Sequence, residues 1–315
     1  MKCRGLTLMS GGLDSQLAVR VLQRAGAEVE AVSFETPFFW ADAARRAASA
    51  LGVKLHVVDF TDEEVALVEN PPHGFGGAMN PCIDCHAAMI RRAGALMAEL
   101  GFEFVATGEV RGQRPMSQNG QALVTVAKAS GMDGRLIRPM SAKLLEPTIP
   151  ELEGRIDREK LLDIAGRSRE RQIALAAEFG ITDYPSPAGG CKLTEEGFGR
   201  RLRDLMDHEG LRLADGSVDR ALLDLLPVGR RFRLPGGAGV VLGRDRAENE
   251  RLDALAEGTP RAGRFKPTNG IVGPTALAFS LAADSDRALA QDLVNAYVRG
   301  TSDADRAPFK PYQIF

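Results

Sequence analysis

Two groups of residues in this chain have the types and spacing to do chemistry. The first is Ser10-Gly11-Gly12-Leu13-Asp14-Ser15. Two glycines let a turn fold tightly and leave its N–H groups uncovered. A helix after such a turn brings N–H groups, the Ser10 and Ser15 hydroxyls and a helix N-terminus to one point, a ready site for phosphate. It is not the common P-loop, which needs a Gly-Lys pair; the chain contains none. The second group is cysteine: Cys82-Ile83-Asp84-Cys85-His86 and, more than a hundred residues later, Cys191.

Several chemistries suit those cysteines. C-x-x-C-H can mark haem attachment, but that takes place outside the cytoplasm and no export signal is visible. A thioredoxin-like pair would need a strand immediately before it, where the chain has a long loop. Two buried thiols are the plain alternative. Cys191 ends a Pro/Gly-rich loop, and such loops sit on a surface rim. Three rim cysteines with His86 could bind zinc. Three without a fourth protein ligand suit a [4Fe–4S] cluster with one iron open, which requires Cys82, Cys85 and Cys191 to lie within roughly 6–7 Å of one another. Cys3 precedes the first strand and reads as a packing residue.

The elements that must position these groups follow from hydrophobic pattern. Leu6–Met9 reads as a buried strand and Gln16–Gln23 as an amphipathic helix. Val29–Glu35, Val53–Asp59, Phe102–Thr107 and Leu136–Arg138 read as further strands. Ala41–Leu51 and Ile83–Leu100 read as helices, and Thr61-Asp62-Glu63-Glu64 as the capping signature of a short helix ending near Asn70. Arg158–Phe179 reads as two linked helices. Alternating strands and helices predict an α/β fold, a parallel sheet with helices on both faces. Ligands then bind beyond the carboxyl ends of the strands, where the Ser10–Ser15 turn, the loop after Phe34, the Pro81–His86 loop and Thr107-Gly108 fall. After a helix at Glu195–His208 the character changes. A hairpin at Phe232–Leu242, a helix at Ala247–Ala256, an apolar stretch at Ile271–Leu281 and a helix at Asp284–Val298 predict a smaller α+β domain. The expected division is 1–200 and 201–315, with the boundary between Glu195 and Asp215.

Composition sets bounds. The 315 residues are 44% hydrophobic and 26% charged, ordinary for a globular protein. A net charge of -2 excludes strong non-specific attraction to nucleic acid, though not a local patch. No apolar run is long enough to span a bilayer and no signal peptide is visible, so a cytoplasmic location without membrane contact is expected. Four cysteines in such a chain point to metal or catalysis before disulfides. Arg230, Arg231, Arg233, Arg244, Arg246, Arg251, Arg264 and Lys266 could form an RNA-facing patch; Asp245, Glu248 and Glu250 could equally balance them. Lys128, Arg135 and Lys143 read as solvated charges, with phosphate or RNA contact as the alternative.

Taken together, SGGLDS at 10–15, NPCIDCH at 80–86, ATGE at 106–109 and PAGGCKLT at 187–194 resemble the tRNA thiouridine synthases of the PP-loop ATP pyrophosphatase superfamily. The resemblance covers roughly residues 1–195 and implies an adenine nucleotide α-hydrolase-like fold. There are departures from the 2-thiouridine branch. His86 follows Cys85 where that branch has Asn, Glu109 follows Thr107-Gly108 where it has His, and Cys82 is additional. Three cysteines are what the iron–sulfur-dependent thiouridylases show. Residues 227–252 look like the small RNA-binding domain fused to ribosome-quality-control proteins.

The resemblance implies ATP-dependent thiolation of a tRNA uridine. A uracil carbonyl oxygen is adenylated with release of pyrophosphate, and sulfur then replaces AMP. Ser10, Gly11, Gly12 and Ser15 would hold pyrophosphate, Asp14 would hold Mg²⁺ or position phosphates, and the backbone near Phe34, Thr107 and Gly108 would hold adenosine. Sulfur would come from a persulfide protein or inorganic sulfide. It would pass through a [4Fe–4S] cluster on Cys82, Cys85 and Cys191, or through a persulfide on Cys85 or Cys191 that the other resolves. The alternatives are an adenylating enzyme acting on a small molecule or cofactor by sulfur insertion or amide ligation, and a non-catalytic RNA-binding protein.

Overall fold

The first apolar run forms strand β1 (Arg4–Leu8) of a computed structural model that describes residues 2–186, 190–259 and 262–314. Strands β2 (Glu28–Glu35), β3 (Leu55–Asp59), β4 (Phe104–Ala106) and β5 (Leu136–Ile137) join it in a sheet of order β3-β2-β1-β4-β5. Every pairing is parallel. Thr7, at the centre, lies between Ala31 of β2 and Ala106 of β4.

Five α-helices lie between these strands and two follow them among the described residues: α1 (Leu13–Arg24), α2 (Asp42–Leu51), α3 (Thr61–Glu69), α4 (Cys82–Glu99), α5 (Gly120–Ser130), then α6 (Ile149–Leu152) and α7 (Glu170–Glu178). Alternate strand residues point to opposite faces, and each face has its own core. Phe104, Ala106 and Ile137 pack with Leu17, Val21, Ala44, Ala48 and Ala176 of α1, α2 and α7. Leu6, Val32, Val105 and Leu136 pack with Ile90 and Ala93 of α4 and Val126 of α5. Helices therefore cover both faces, as expected. Burial on both sides is why the strands read as continuous apolar runs rather than alternations. The chain leaves β1 toward β2 and returns to β4 on the other flank of β1, so the crevice between β1 and β4 is the switch point of the sheet.

Three local expectations change. Arg158–Phe179 is not a helix pair: Arg158–Lys160 is a single 3₁₀ turn, and only α7 is α-helical. Between them Leu162 and Ile164 donate to the Pro139 and Met140 carbonyls, and Gly166 turns at φ +87°. An extended segment whose Leu161 and Ile164 are buried outcompetes a helix there. The cap of α3 comes from Asp59, whose Oδ1 accepts from the Thr61 N–H at 3.0 Å and its hydroxyl at 2.7 Å. Helix α5 was not expected, although Asn119 caps it through Ala122 N–H and Gly131 ends it in the left-handed region.

The chain divides into two compact units, residues 1–191 and 192–315. In the second, α8 (Glu196–His208) and α9 (Arg220–Asp224) precede β6 (Arg230–Arg233) and β7 (Gly239–Leu242). Helix α10 (Arg246–Glu257), β8 (Gly263–Phe265), β9 (Ala276–Phe279), α11 (Asp284–Ala296), α12 (Asp303–Arg306) and β10 (Gln313–Ile314) follow. The sheet order is β10-β6-β7-β9-β8, wholly antiparallel. Phe232, Val240, Leu242 and Ala278 pack with Ala290, Leu293 and Val294 of α11, giving the α+β unit expected. No helix among the described residues is long and apolar enough to cross a membrane.

Candidate functional site

The Ser10–Ser15 turn lies at the carboxyl end of β1. Gly11 has φ +80°, and a Cβ there would come 2.3 Å from the Ala43 carbonyl carbon. The position thus requires glycine both for conformation and for close packing against α2. Helix α1 starts at Gly12 with no side-chain cap, and its first backbone bond runs from Gln16 to Gly12. The N–H groups of Leu13, Asp14 and Ser15 have no partner within the helix. Ser10 is exposed, with its Oγ 3.3 Å from the Gly12 N–H. Ser15 is buried, and its hydroxyl donates to the Gly12 carbonyl at 2.8 Å. Asp14 Oδ2 accepts from Gln113, and its Oδ1 is buried with no partner. An unpaired buried carboxylate oxygen beside uncapped N–H groups fits Mg²⁺ accompanying a polyphosphate.

Strand β4 brings Thr107-Gly108 onto this turn. A Cβ on Gly108 would lie 2.6 Å from the Ser15 backbone nitrogen. Thr107 is buried, its hydroxyl donates to Glu109 Oε2 at 2.9 Å and its N–H to the Ile137 carbonyl at 3.0 Å, so its own carbonyl is what is left for a ligand. The ring of Phe34 is core, packed at 5.2 Å on Phe60. The β1–β2 ladder ends at Leu8 and Val32, so at Phe34 strand β2 pairs with β3 alone.

The cysteine pair opens α4. The Asn80 amide donates to Cys82 Sγ at 3.0 Å. Asp84, buried between the cysteines, accepts from the His73 N–H at 2.9 Å and pairs with its ring at 2.6 Å, pinning the preceding loop. Burial pushes the Cys85 thiol well up, and the charges of Glu64, Cys191 and Cys82 push it further. The three predicted cysteines are thus electrostatic neighbours. Pro187, Ala188 and Gly189 of the 187–194 motif lie outside the described residues. Glu64, on α3, is wholly buried with neither oxygen in a well-formed hydrogen bond; burial raises its carboxyl to about 7. Sequence reading missed it as anything but part of a cap. All four cysteines are thiols. Cys3 is buried in the core as expected, its thiol pushed up by burial.

Like charges gathered around Cys85 would be relieved by a cation, and the neighbouring His86 is already paired with Glu109. Among the described residues no three His, Cys, Asp or Glu side chains converge on one ion. Burial would raise the Glu109 carboxyl, but Arg138 and His86 hold it down at about 2. A recess of about 540 Å³ in the second unit, with His208, Glu209, Ser280 and Arg287 in its wall, contains none of these residues.

Most of the expected RNA-facing cations of the second unit have partners within it; Arg231 is buried, with Nε and Nη2 in no hydrogen bond. Arg233 grips Asp204 at 2.6 Å and Glu209 at 2.7 Å, Arg244 holds Glu248, and Arg246 holds Glu250 at 2.7 Å. Arg264 and Lys266 share Asp253, Arg251 bonds the Asp224 carbonyl, and Arg230 lies over the Tyr297 ring. In the first unit, Lys143 pairs with Glu159 and Arg135 bonds the Glu103 carbonyl.

A glycine turn without the P-loop lysine thus lies at the crevice of a β3-β2-β1-β4-β5 parallel sheet, the place where such sheets bind ligands. Residues 1–142 match the family model described as Thiamine biosynthesis protein (ThiI). A "Probable tRNA sulfurtransferase" of Caldanaerobacter subterraneus subsp. tengcongensis is 30% identical over 158 residues, 45% of this chain and 40% of that protein. The "tRNA-specific 2-thiouridylase MnmA" of Cutibacterium acnes is 35% identical over 130 residues, 33% of each chain. Part of the N-terminal unit is therefore similar in sequence to these proteins. The chain spans less than half the length of these relatives. A 4-thiouridine synthetase solved with RNA and bound ATP aligns with a TM-score of 0.37 and 21% identity, over 57% of this chain and 52% of that one. A predicted subunit of tRNA methyltransferase from Methanocaldococcus jannaschii aligns with a TM-score of 0.37 and 17% identity, over 56% and 76%.

Proposed function

We propose that this chain is an ATP-dependent enzyme that thiolates a tRNA uridine in the cytoplasm. The observation that carries the proposal is the linkage of two half-sites. Gly108 presses on the phosphate turn, Glu109 follows it, and Glu109 grips His86, the residue after Cys85.

The uracil carbonyl oxygen attacks the α phosphorus of ATP. The bond from that phosphorus to the α–β bridging oxygen breaks, and pyrophosphate leaves. The N–H groups of Gly12, Leu13, Asp14 and Ser15, with the Ser10 hydroxyl, receive it. The backbone beside Phe34, Thr107 and Gly108 orients adenosine. Asp14 would hold Mg²⁺, which neutralises charge on the departing pyrophosphate. Sulfur then displaces AMP from the ring carbon. Cys82, Cys85 and Cys191 would hold a [4Fe–4S] cluster, which would supply the sulfur at the level of sulfide. In the persulfide route, a Cys85 persulfide replaces AMP. Cys191 thiolate then attacks the Cys85 sulfur, releases the thiolated base and leaves a Cys85–Cys191 disulfide for an external thiol to reduce. The sulfur donor is a persulfide protein or inorganic sulfide.

Mass spectrometry of tRNA nucleosides from a deletion strain tests the proposal. One thiouridine should vanish and return with the intact gene but not with Asp14→Ala. An unchanged nucleoside profile would overturn it. The pairing of the second unit's arginines favours a second reading, sulfur transfer to a small molecule or cofactor, since it removes the basic patch that spoke for RNA.

A further inference from the structure

The carboxylate of Asp14 is held by a side-chain amide from a distant part of the first unit. Gln113, in the loop after β4, donates from Nε2 to Asp14 Oδ2 at 2.8 Å. A carboxylate only accepts, so the nitrogen of the amide must face Asp14 and its oxygen must face away. That oxygen accepts, at a longer 3.4 Å, from Nε2 of Gln172, a wholly buried residue of α7. The order of donors and acceptors is therefore fixed along the whole relay, from Gln172 to Gln113 to Asp14. The loop itself is tied at both ends of this residue. The Gln113 N–H donates to the Val110 carbonyl at 3.1 Å, and the Gly112 N–H donates to the Gln118 carbonyl at 2.7 Å.

The consequence for Asp14 is asymmetric. Oδ2 is satisfied, while Oδ1 is buried and has no partner. Leaving a buried carboxylate oxygen unpaired is unfavourable unless something cationic completes it. A side chain free to rotate could turn away from the site. The Gln113 amide opposes this, because turning away breaks its hydrogen bond. We infer that Gln113 is a positioning residue that presents Asp14 Oδ1 to the Mg²⁺ of bound nucleotide. The inference rests on the ATP reading above. Partners of this kind behind a metal-binding carboxylate typically change metal affinity 10–100-fold, roughly, when removed.

The test uses Mn²⁺ as a spin probe in place of Mg²⁺, with the full chain and α,β-methylene-ATP, which cannot be cleaved between its α and β phosphates. The dissociation constant of Mn²⁺ is read from the signal of the free ion. Gln113→Ala should raise it about 10-fold or more, with the affinity for the analogue in the absence of metal unchanged. Gln172→Leu should raise it less, since it loosens the relay one step back. Unchanged Mn²⁺ affinity in a folded Gln113→Ala protein would overturn the inference. If that variant does not fold, Gln113→Asn, whose shorter amide cannot reach Asp14, takes its place with the same two outcomes. Absence of nucleotide-dependent Mn²⁺ binding in the unaltered protein overturns the ATP reading and the relay with it. Normal binding that ignores Gln113 overturns the relay alone.

Discussion

Glu109 Oε1 lies 3.0 Å from His86 Nδ1, so the residue after Gly108 grips the residue after Cys85. Arg138 closes the other side of the carboxylate, with Nε 2.8 Å from Oε2, and donates onward to the Leu123 carbonyl at 3.1 Å. The exits of β4 and β5 are thereby fastened to the first turn of α4. The glycine turn and the cysteine pair are held on one frame, and the His86–Glu109 pair occupies two of the three positions where the sequence departs from the 2-thiouridine pattern.

That pair predicts a specific acid sensitivity. Burial opposes the charge on Glu109, but Arg138 and His86 hold its carboxyl at about 2, below the ordinary 4.5. A lowered folded-state value means that its contribution is fully present above about pH 4.5 and is lost as the pH falls toward 2. A shift of this size corresponds to on the order of 3 kcal/mol. Thermal melts between pH 5 and 2 should fall more steeply for the unaltered protein than for Glu109→Gln. Parallel slopes would mean that the carboxylate carries no net charge-dependent stability.

The turn predicts a separation of binding from folding. Asp14→Ala and Ser15→Ala should abolish substrate-dependent release of pyrophosphate while leaving the thermal midpoint near that of the parent. Gly108→Ala should do both kinds of damage, because its Cβ would lie 2.6 Å from the Ser15 nitrogen. Overpacking of this kind costs about 1–3 kcal/mol, and the turn would shift with it. Full turnover in folded Asp14→Ala would remove the nucleotide role of the turn.

Apolar pattern carried the architecture, because the central strands β1 and β4 are buried and read as short apolar runs. Helix α5 escaped notice because its cap, Asn119, sits in a stretch of Ser, Gln, Asn and Gly that reads as loop. Contacts across long separations were not legible. Gln113 and Asp14 are 99 positions apart, and no spacing rule joins them. Glu64 looked like a capping residue because its local neighbours are acidic; its burial depends on packing that the sequence does not display. The arginines of the second unit were legible as charges and Glu248 and Glu250 as nearby partners, but the distant Asp204, Glu209 and Asp253 were not.

Those pairings predict weak dependence on salt. Phosphate contacts contribute about 0.7–0.9 each to the slope of log affinity against log salt concentration. With Arg233, Arg244, Arg246, Arg264 and Lys266 already paired to carboxylates, removal of residues 192–315 should change the slope for tRNA binding by less than about one. Filter binding from 50 to 300 mM salt, on the order of the usual range, measures it. A loss of several units would mean that these ion pairs open on RNA.

The cysteines give the sharpest outcome. Cys82 and Cys191 both act electrostatically on Cys85, and Cys3 is in the core. Three thiolates with no fourth would leave one iron of a cube open. Anaerobic reconstitution should therefore give about four irons per chain, with a charge-transfer absorption that Cys3→Ala leaves intact. Replacing Cys82, Cys85 or Cys191 by Ala should remove both the absorption and thiolation. The persulfide route predicts otherwise at one position. Cys82 has no part in exchange between Cys85 and Cys191, so Cys82→Ala would keep full activity in a protein without iron. Activity that survives Cys191→Ala would exclude both routes, since each needs that sulfur beside Cys85.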